Sequence, residues 1–578
     1  MSSRSSLPRF AVALVLSALA AVALAAVACS GDESSHLGGT GGSGASGAAG
    51  GSSAGGAGGF ILMGGASPHA DFPEAPVVEG GLSPDIASLF ETTPGDGQVG
   101  PCLAEPALGA MMPTNWAPLL FEWLPPAELN VFELRLEIDN QLHPLVVYTT
   151  APSYTVATSI WANLGNHSAG HDIAVTLRGA RLEGGVLTIG PRVGASGVVH
   201  VAPVAAPGSV VYWAATGGTS FQGFTIGDTV PKTVLTPALA GAASSGGNTN
   251  CISCHASSPD GKLVVYSRDT DTGTRAIDVR TVVGAAVPAA SDVSPSALAL
   301  LGRHKQTAPV LSAAHYSAAD AVVVSVFSDP GLNGGRYELI WTDLHAADAS
   351  GWGVLARNGD ARNVSSPSWR RDGTALAYVS SPAGGEGVIA DTTAGDPTMD
   401  IYTVPYNARQ GGDATPLPGA SDPGYREFYP VYSPDDALLA FNRTDQPVNS
   451  YNQPSAEVLV VPSAGGTALR LAANDPPACT GLTSPGLTNS WARWAPQSET
   501  VGNRKFYWLV FSSKRRPASN AGGALLPQLY VSAVVTEVTG GVETIVAEYP
   551  ALYVTAQNPT EGNHTPAWDY FEVSQIPD

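Results

Sequence analysis

The fold is decided by the stretch Ser258-Pro259-Asp260-Gly261-Lys262-Leu263-Val264-Val265-Tyr266. Its first four residues form a turn sequence, because proline presets φ, aspartate bonds its own backbone and glycine accepts positive φ. The apolar residues that follow are typical of a buried strand. The stretch therefore predicts a tight turn that leads directly into a strand.

The same combination of turn and strand recurs at intervals of about 50 to 65 residues, a repeat length typical of β-propeller blades. Further copies occupy residues 316–324, 369–378, 432–441 and, with an expanded turn, 494–511. Each repeat is a unit that cannot bury its apolar face alone, so neighbouring repeats are expected to stack around a channel.

The two ends of the repeat region complete each other. His564-Thr565-Pro566-Ala567-Trp568 begins a first strand with too little chain after it for a blade, whereas 210–214, 221–226 and 233–235 have no first strand before them. Pairing of these ends would close the ring and remove its open edges. We therefore predict a six-bladed propeller over residues 208–578, closed by N- and C-terminal strands.

The repeat resembles that of TolB-like propellers, often called the PD40 or WD40-like repeat, and the resemblance covers 208–578. The segments Asn489-Ser490-Trp491-Ala492-Arg493-Trp494 and Phe511-Ser512-Ser513-Lys514-Arg515-Arg516 are also similar to parts of exported bacterial propeller lipoproteins that carry a C-x-x-C-H motif. No reaction is established for that family. The resemblance therefore implies architecture and gives no activity.

Residues 100–205 have a different pattern. Phe132, Leu134 and Leu136 alternate with charged residues, which is typical of a strand with one buried face. Several such strands within about 100 residues favour an immunoglobulin-like or fibronectin III-like sandwich. The expected fold is therefore all-β, with a sandwich followed by the propeller.

The N-terminus is read as a targeting segment. Arg4 and Arg9 precede a long apolar run that closes with Ala26-Val27-Ala28-Cys29. Residues 1–28 resemble a lipoprotein signal peptide, which implies that Cys29 is lipidated; an ordinary signal peptide or an uncleaved anchor are the alternatives. Residues 29–99 begin as a Gly/Ser/Ala-rich tether and are assigned to a flexible linker. We expect a cell-envelope protein, anchored by lipid in the outer membrane on its periplasmic or surface face.

The net charge of −21 excludes two classes of partner. Nucleic acids and anionic membrane surfaces attract basic proteins, so neither is expected to bind this chain directly. We expect a monomer that contacts the membrane through its lipid only. Its expected partner is an envelope protein, a peptide or a glycan.

The motif Cys251-Ile252-Ser253-Cys254-His255 allows three interpretations. Its spacing is that of c-type haem attachment, with both thiols bound to the macrocycle and His255 on the iron. It could instead hold a disulfide between Cys251 and Cys254, or a metal bound by the two thiolates and histidine. In the repeat alignment Cys254 and His255 fall beside Ser366-Pro367 and Tyr429-Pro430, at the start of an innermost strand.

Two further histidines are candidates for a second axial ligand of such a haem. The alignment places His315 and His564 near the same rim, at one opening of the channel, and Met399 is a weaker candidate. No other metal is expected. His167 and His171 are read as exposed loop histidines, and Arg493, Lys514 and Arg515 as polar rim residues that pair with carboxylates.

The remaining cysteines predict one more bridge. If Cys29 is lipidated and Cys251 and Cys254 belong to one motif, Cys102 and Cys479 are the two cysteines that remain. In an oxidising compartment they are expected to pair, and the bridge would join the two domains.

The function expected from these features is a binding or scaffold protein whose channel opening engages its partner. The alternative is an electron-transfer protein with one haem at Cys251, Cys254 and His255. No catalytic residues can be assigned, since no G-x-S-x-G elbow lies between a strand and a helix. Whether the protein is an enzyme stays open.

Overall fold

The computed structural model describes residues 68–215, 219–240, 252–270, 274–281, 293–316, 320–382, 399–446, 450–516, 525–571 and 573. The signal segment with Cys29, most of the tether and Cys251 lie outside these residues. The predictions that fall on them stay predictions.

The N-terminal part contains nine strands and two helices. The strands are β1 Val77–Val78, β2 Cys102–Glu105, β3 Met111–Met112, β4 Leu120–Leu124, β5 Val131–Glu137, β6 Leu145–Thr149, β7 Ser153–Thr155, β8 Asp172–Glu183 and β9 Val186–Val201. The helices are α1 Ile86–Thr92 and α2 Thr158–His167.

These strands form two sheets that face one core. One sheet has the order β1-β6-β5-β8-β9-β3 and the other the order β2-β4-β7. The alternating residues of β5 turn Phe132, Leu134 and Leu136 into the core, where they meet Phe121 and Trp123 of β4. The period-two pattern thus identified a strand with its buried face.

The flexible linker assigned to residues 29–99 is too long. β1 pairs in parallel with β6, and Ile86 and Phe90 of α1 are buried against Val131 and Tyr148. Ile86 and Phe90 lie four residues apart, so they share one face of the helix. Residues 68–99 therefore belong to the folded N-terminal part.

Apart from one two-stranded parallel sheet, Ala356–Asn358 with Gly411–Asp413, the C-terminal part is built from successive antiparallel sheets. Its strands are β10 Ser209–Ala214, β11 Ser220–Thr225, β12 Lys232–Leu235; β13 Ile252–Ser257, β14 Leu263–Asp269, β15 Arg275–Thr281; β16 Gln306–Leu311, β17 Val322–Ser328, β18 Tyr337–Asp343, β19 Trp352–Val354; β20 Ala356–Asn358; β21 Asn363–Trp369, β22 Ala375–Ser381, β23 Asp400–Pro405, β24 Gly411–Asp413, β25 Thr415–Pro416; β26 Arg426–Tyr432, β27 Leu438–Thr444, β28 Glu457–Pro462, β29 Leu469–Arg470; β30 Ser490–Trp494, β31 Glu499–Val501, β32 Arg504–Ser513, β33 Gln528–Thr539, β34 Val542–Glu548, β35 Leu552–Tyr553; and β36 Asn563–Asp569.

Short helices interrupt this part of the chain. They are α3 Pro237–Ala240, α4 Pro295–Leu301 and α5 Ala313–Tyr316, with 3-10 turns at Asn333–Gly335, Ala472–Asn474 and Ala478–Thr480. No helix within the described ranges is both long enough and apolar enough to cross a membrane.

The first strands of these sheets contact one another in a closed cycle. β13 contacts β16, β16 contacts β21, β21 contacts β26, β26 contacts β30, β30 contacts β36, and β36 contacts β13. β36 also pairs with β10, which gives a sheet of order β12-β11-β10-β36 from both ends of the region. The arrangement is propeller-like, with the first strands innermost.

The repeated turns hold their shape through the same bonds. Ser258 Oγ donates to Asp260 Oδ1 (2.5 Å) and accepts from the Leu263 amide (2.9 Å). Ser433 makes the corresponding bonds to Asp435 (2.9 Å) and Leu438 (3.0 Å). The sequence signature therefore corresponds to a real structural unit, in which polar side chains satisfy the backbone of the turn.

Candidate functional site

The six innermost strands share one irregularity. Each carries a β-bulge near its start, where pairing with the next strand shifts register. At each bulge one residue other than glycine takes a left-handed conformation, which the surrounding structure must impose. The residues are Cys254 (φ 42°), Ala308 (51°), Ser366 (47°), Tyr429 (56°), Trp491 (55°) and Thr565 (50°).

All six bulge residues line one cavity of about 90 Å³ in the channel. Aromatic side chains form much of its wall, namely Trp213, Tyr429, Tyr451 and Trp491. The described residues that line the cavity include Arg275 and Arg493 but no aspartate or glutamate. In a chain with 49 acidic and 28 basic residues, this is a local reversal of charge.

Cys254 and His255 both lie at this cavity. Cys254 is partly exposed and has no disulfide partner among the described residues, and its predicted partner Cys251 lies outside them. The ring of His255 packs on Phe221 with centroids 4.3 Å apart, and its Nε2 lies 3.0 Å from the Val211 carbonyl. Because a carbonyl only accepts, Nε2 carries the proton and Nδ1 keeps the lone pair.

Nδ1 of His255 is buried and has no hydrogen-bond partner among the described residues. Burial lowers the pKa of His255 to about 4, although the hydrogen bond to Val211 opposes the shift. His255 is therefore neutral at pH 7. The repeat register placed Cys254 and His255 beside Ser366-Pro367 and Tyr429-Pro430, and the structure brings Ser366, Pro367 and Tyr429 to the same cavity.

His564 lies behind the aromatic wall. Its ring stacks on Trp491 (centroids 4.8 Å apart) and meets Trp213 edge-on (4.6 Å). Its Nδ1 is 2.7 Å from Thr565 Oγ1, and its Nε2 is 3.4 Å from the Tyr451 hydroxyl. This side chain is enclosed by its neighbours and orients the aromatic groups of the cavity.

His315 does not reach the channel, so the expected convergence with Cys254 is wrong for this residue. It lies in α5, beyond the end of β16, where its Nε2 is 2.9 Å from the Gly373 carbonyl and its Nδ1 is 3.3 Å from Asp320. The residue that corresponds to Cys254 in this repeat is Ala308. The helical turn of α5 follows β16 and carries His315 away from the bulge. Met399 is fully buried beside Phe428 and is a core residue.

Arg493 is the strongest polar feature of the cavity. Within the described residues it forms no salt bridge, and its one hydrogen bond runs from Nη1 to the Ala492 carbonyl (2.8 Å). Burial lowers its pKa, and the nearby Cys254, Tyr429 and Asp569 raise it. Arg275 lines the same cavity and donates from Nη1 to Ser253 Oγ (2.6 Å).

The expectation that Arg493, Lys514 and Arg515 pair with carboxylates at the rim is wrong. None of the three forms a salt bridge with any described residue. Arg515 is buried, and its Nη2 donates to the Ala473 carbonyl (2.6 Å) and to Asn489 Oδ1 (3.0 Å). It therefore ties loops together inside the protein.

The structure brings Cys102 and Cys479 together in a disulfide. Cys102 is the first residue of β2, and Cys479 lies in the 3-10 turn between β29 and β30. The bridge joins the two parts of the molecule.

No protein-family profile and no curated protein matches the chain. A puromycin-hydrolysing peptidase of Mycobacterium tuberculosis is 14% identical over 65% of this chain and 52% of its own, with a TM-score of 0.27. Prolyl oligopeptidase B of Galerina marginata is 9% identical over 67% and 50%, with a TM-score of 0.28. The periplasmic gluconolactonase of Pseudomonas aeruginosa is 12% identical over 60% and 96%, with a TM-score of 0.27. The chain spans about half the length of the two peptidases, and similarities this weak carry no argument about activity.

Proposed function

We propose that this chain is a lipid-anchored extracytoplasmic binding protein whose channel cavity engages a carboxylate-bearing group of a protein, peptide or glycan partner. The single observation that carries the proposal is Arg493, which lines the cavity without a carboxylate partner among the described residues. Arg493 is half-buried, and a charged group that is partly removed from water without an ion-pair partner is costly. Binding of an anionic group would compensate that cost with charge-assisted hydrogen bonds.

The fold in this proposal is a fibronectin III-like or immunoglobulin-like sandwich followed by a six-bladed, TolB-like propeller. The closed cycle of first strands and the pairing of β36 with β10 support the six blades. The Ser-Pro-Asp-Gly turns support the TolB-like assignment. The sequence Ala26-Val27-Ala28-Cys29 and the Gly/Ser/Ala-rich tether support a lipid anchor in the cell envelope.

The size and the side chains of the cavity indicate which part of a partner would enter it. The cavity has a volume of about 90 Å³, so we expect a single side chain or chain end of the partner to enter it. Trp213, Trp491 and Tyr429 offer apolar faces beside the two arginines. A carboxylate carried on a short apolar stem matches both features.

The described residues fit a haem poorly. His255 Nε2 is bonded to the Val211 carbonyl, and His564 is enclosed by Trp213 and Trp491. The electron-transfer alternative therefore rests on the motif alone. A Soret band that survives denaturation and disappears in C251A/C254A would support it against the binding proposal.

Arg493→Gln tests the binding proposal. We expect calorimetry to detect binding among a panel of short peptides and uronic-acid oligosaccharides, and at least about tenfold weaker binding of the same probes to R493Q, since one charge-assisted hydrogen bond contributes about 1.5–3 kcal/mol. Probes without a carboxylate, namely C-terminally amidated peptides and neutral oligosaccharides, should bind the original chain weakly. Their affinity should be no higher than the affinity of R493Q for the charged probes.

The matched control is Arg504→Gln. Arg504 lies on β32, is largely exposed and pairs with Glu537 at 3.5 Å, away from the cavity. R504Q should bind the probes as the original chain does. Absence of carboxylate binding at millimolar concentration, or equal affinity of R493Q and the original chain, would contradict the proposal.

A further inference from the structure

Two neighbouring residues, His69 and Asp71, meet the distant His167 on the N-terminal part, far in sequence from the channel residues. His69, Asp71 and His167 each offer one ligand atom, and these atoms lie within 4.8 Å of one another. His167 Nδ1 is 2.7 Å from Asp71 Oδ2, and the rings of His69 and His167 stack with centroids 3.7 Å apart and planes 5° apart. No other group of three such ligands occurs among the described residues.

The turn between β5 and β6 holds these side chains in place. The His69 amide donates to the Asn140 carbonyl (2.8 Å), and the His69 carbonyl accepts from the Leu142 amide (2.8 Å). Gln141 Nε2 donates to Asp71 Oδ2 (2.9 Å), and Gln141 Oε1 accepts from the Asp71 amide (3.0 Å). Hydrogen bonds of this kind orient metal ligands in known sites.

The position of His167 is fixed in the same way. It is the last residue of α2, and its carbonyl accepts from Asn140 Nδ2 (2.7 Å). His167 was read from the sequence as an exposed loop histidine. Its side chain is 38% exposed, whereas that of Asp71 is 8% exposed. The cluster is therefore anchored on the protein side and open to solvent on the other.

We propose that His69, Asp71 and His167 bind a divalent transition-metal ion of the zinc type. Two imidazole nitrogens and one carboxylate oxygen are a ligand set for Zn²⁺, which binds them at about 2.0–2.2 Å, with a fourth position left for water. Ligand atoms around such an ion lie about 3.3 Å apart, so small side-chain rotations bring the three together. The imidazoles disfavour Mg²⁺ and Ca²⁺, which prefer all-oxygen sites.

The bound ion would fasten residues 69–71 to the β5–β6 turn and to α2. This is the place where the chain passes from the tether into the folded N-terminal part. An ion that binds only the folded state stabilises it by mass action. The metal site shares no residue with the channel cavity, so the metal proposal and the binding proposal can be contradicted independently.

Calorimetric titration of the untagged, metal-stripped full chain with ZnCl₂ tests the site. The titration uses a C251S/C254S background, so that these thiols do not contribute. We expect one equivalent to bind, and we expect His69→Gln or His167→Gln to weaken the affinity at least tenfold. Mg²⁺ at the same concentration should give no comparable binding.

His171→Gln is the matched control. His171 Nδ1 lies 2.6 Å from Asp139, so it forms a similar histidine–carboxylate pair, but no second histidine completes a three-ligand group there. Zn²⁺ should raise the melting temperature of the background chain and of H171Q, but not of H69Q. Metal-free H69Q should melt as the background chain does. Absence of one-equivalent binding, or an equal loss in H171Q, would overturn the proposal.

Discussion

His564 is a buried imidazole that the fold holds in its neutral form. Burial excludes water from the ring and the positive charge of Lys514 lies nearby, and together they lower the pKa of His564 to about 3. In the unfolded chain an ordinary histidine titrates near pH 6.5. Between these values the unfolded state binds a proton that the folded state does not, so stability must rise with pH across this interval.

The free energy of unfolding should therefore fall as the pH is lowered from 6.5 toward 3. His564→Gln removes this titration, so its unfolding free energy should depend less steeply on pH between 6.5 and 5, by up to about 1.4 kcal/mol per pH unit. Urea unfolding at several pH values measures both slopes. Equal slopes for H564Q and the original chain would contradict the prediction.

At the scale of elements, the bulges explain how the channel acquires its side chains. A regular strand would turn alternate residues to opposite faces. The extra residue in each innermost strand re-aims the chain locally, and six equivalent bulges place six side chains around one cavity. The bulges therefore supply six of the side chains that line the cavity, whereas its two arginines, Arg275 and Arg493, stand outside the bulge positions.

The turn after β13 is fixed by close backbone approach. Gly261 has φ +72°, and a Cβ there would lie 2.0 Å from the Tyr570 carbonyl oxygen. Gly502 has φ +64°, but a Cβ there would meet nothing within 4 Å. Both glycines have the left-handed conformation, but only Gly261 has a backbone atom close to the position that a Cβ would occupy.

Gly261→Ala should therefore destabilise the chain more than Gly502→Ala. The left-handed conformation costs alanine about 1–2 kcal/mol at either position. Gly261→Ala adds a clash with backbone, so we expect its total loss to exceed about 3 kcal/mol. Thermal and urea unfolding compare the two variants, and equal losses would show that the contact with Tyr570 contributes nothing.

The sequence predicted the elements better than the sites. The turns and buried strands have local signatures, so Ser258 to Tyr266 could be placed in register with its copies. The bulges have no local sequence signature, because six different residue types occupy equivalent positions: cysteine, alanine, serine, tyrosine, tryptophan and threonine. His315 was misplaced because α5 follows its strand. The cluster of His69, Asp71 and His167 depends on sheet topology, which no local pattern encodes.

At the scale of the whole molecule, the two parts share one interior. A single apolar cluster runs from Trp123 and Leu134 in the N-terminal part to Trp508 and Val531 in the C-terminal part. Polar contacts border it. Arg516 Nη2 lies 2.6 Å from Glu122 Oε2, and the Tyr553 amide donates to Glu105 Oε2 (3.3 Å).

The same interface sets the state of Glu105. Burial raises its pKa to about 8, while the charges of Arg515 and Arg516 and the hydrogen bond from Tyr553 oppose the shift. The folded chain therefore holds a proton there that the unfolded chain releases above about pH 4.5. This group contributes stability that is fully present below about pH 4.5 and is lost as the pH rises from there through about 8, opposite in sign to the contribution of His564.

The disulfide between Cys102 and Cys479 adds a covalent restraint to this interface. It joins residues 377 positions apart, so in the unfolded chain it closes a very long loop and restricts the unfolded ensemble. Because the apolar cluster already joins the two parts, we expect C102A/C479A to fold with both parts packed, but with an unfolding free energy lower by about 2–5 kcal/mol. Cys254→Ser, which alters a cysteine at the cavity that bonds to no other described cysteine, should change it by less than about 0.5 kcal/mol. Urea unfolding followed by tryptophan fluorescence measures these differences. If C102A/C479A instead gave two separate transitions, the shared core would be too weak to couple the parts, and the disulfide would be what holds them as one unit.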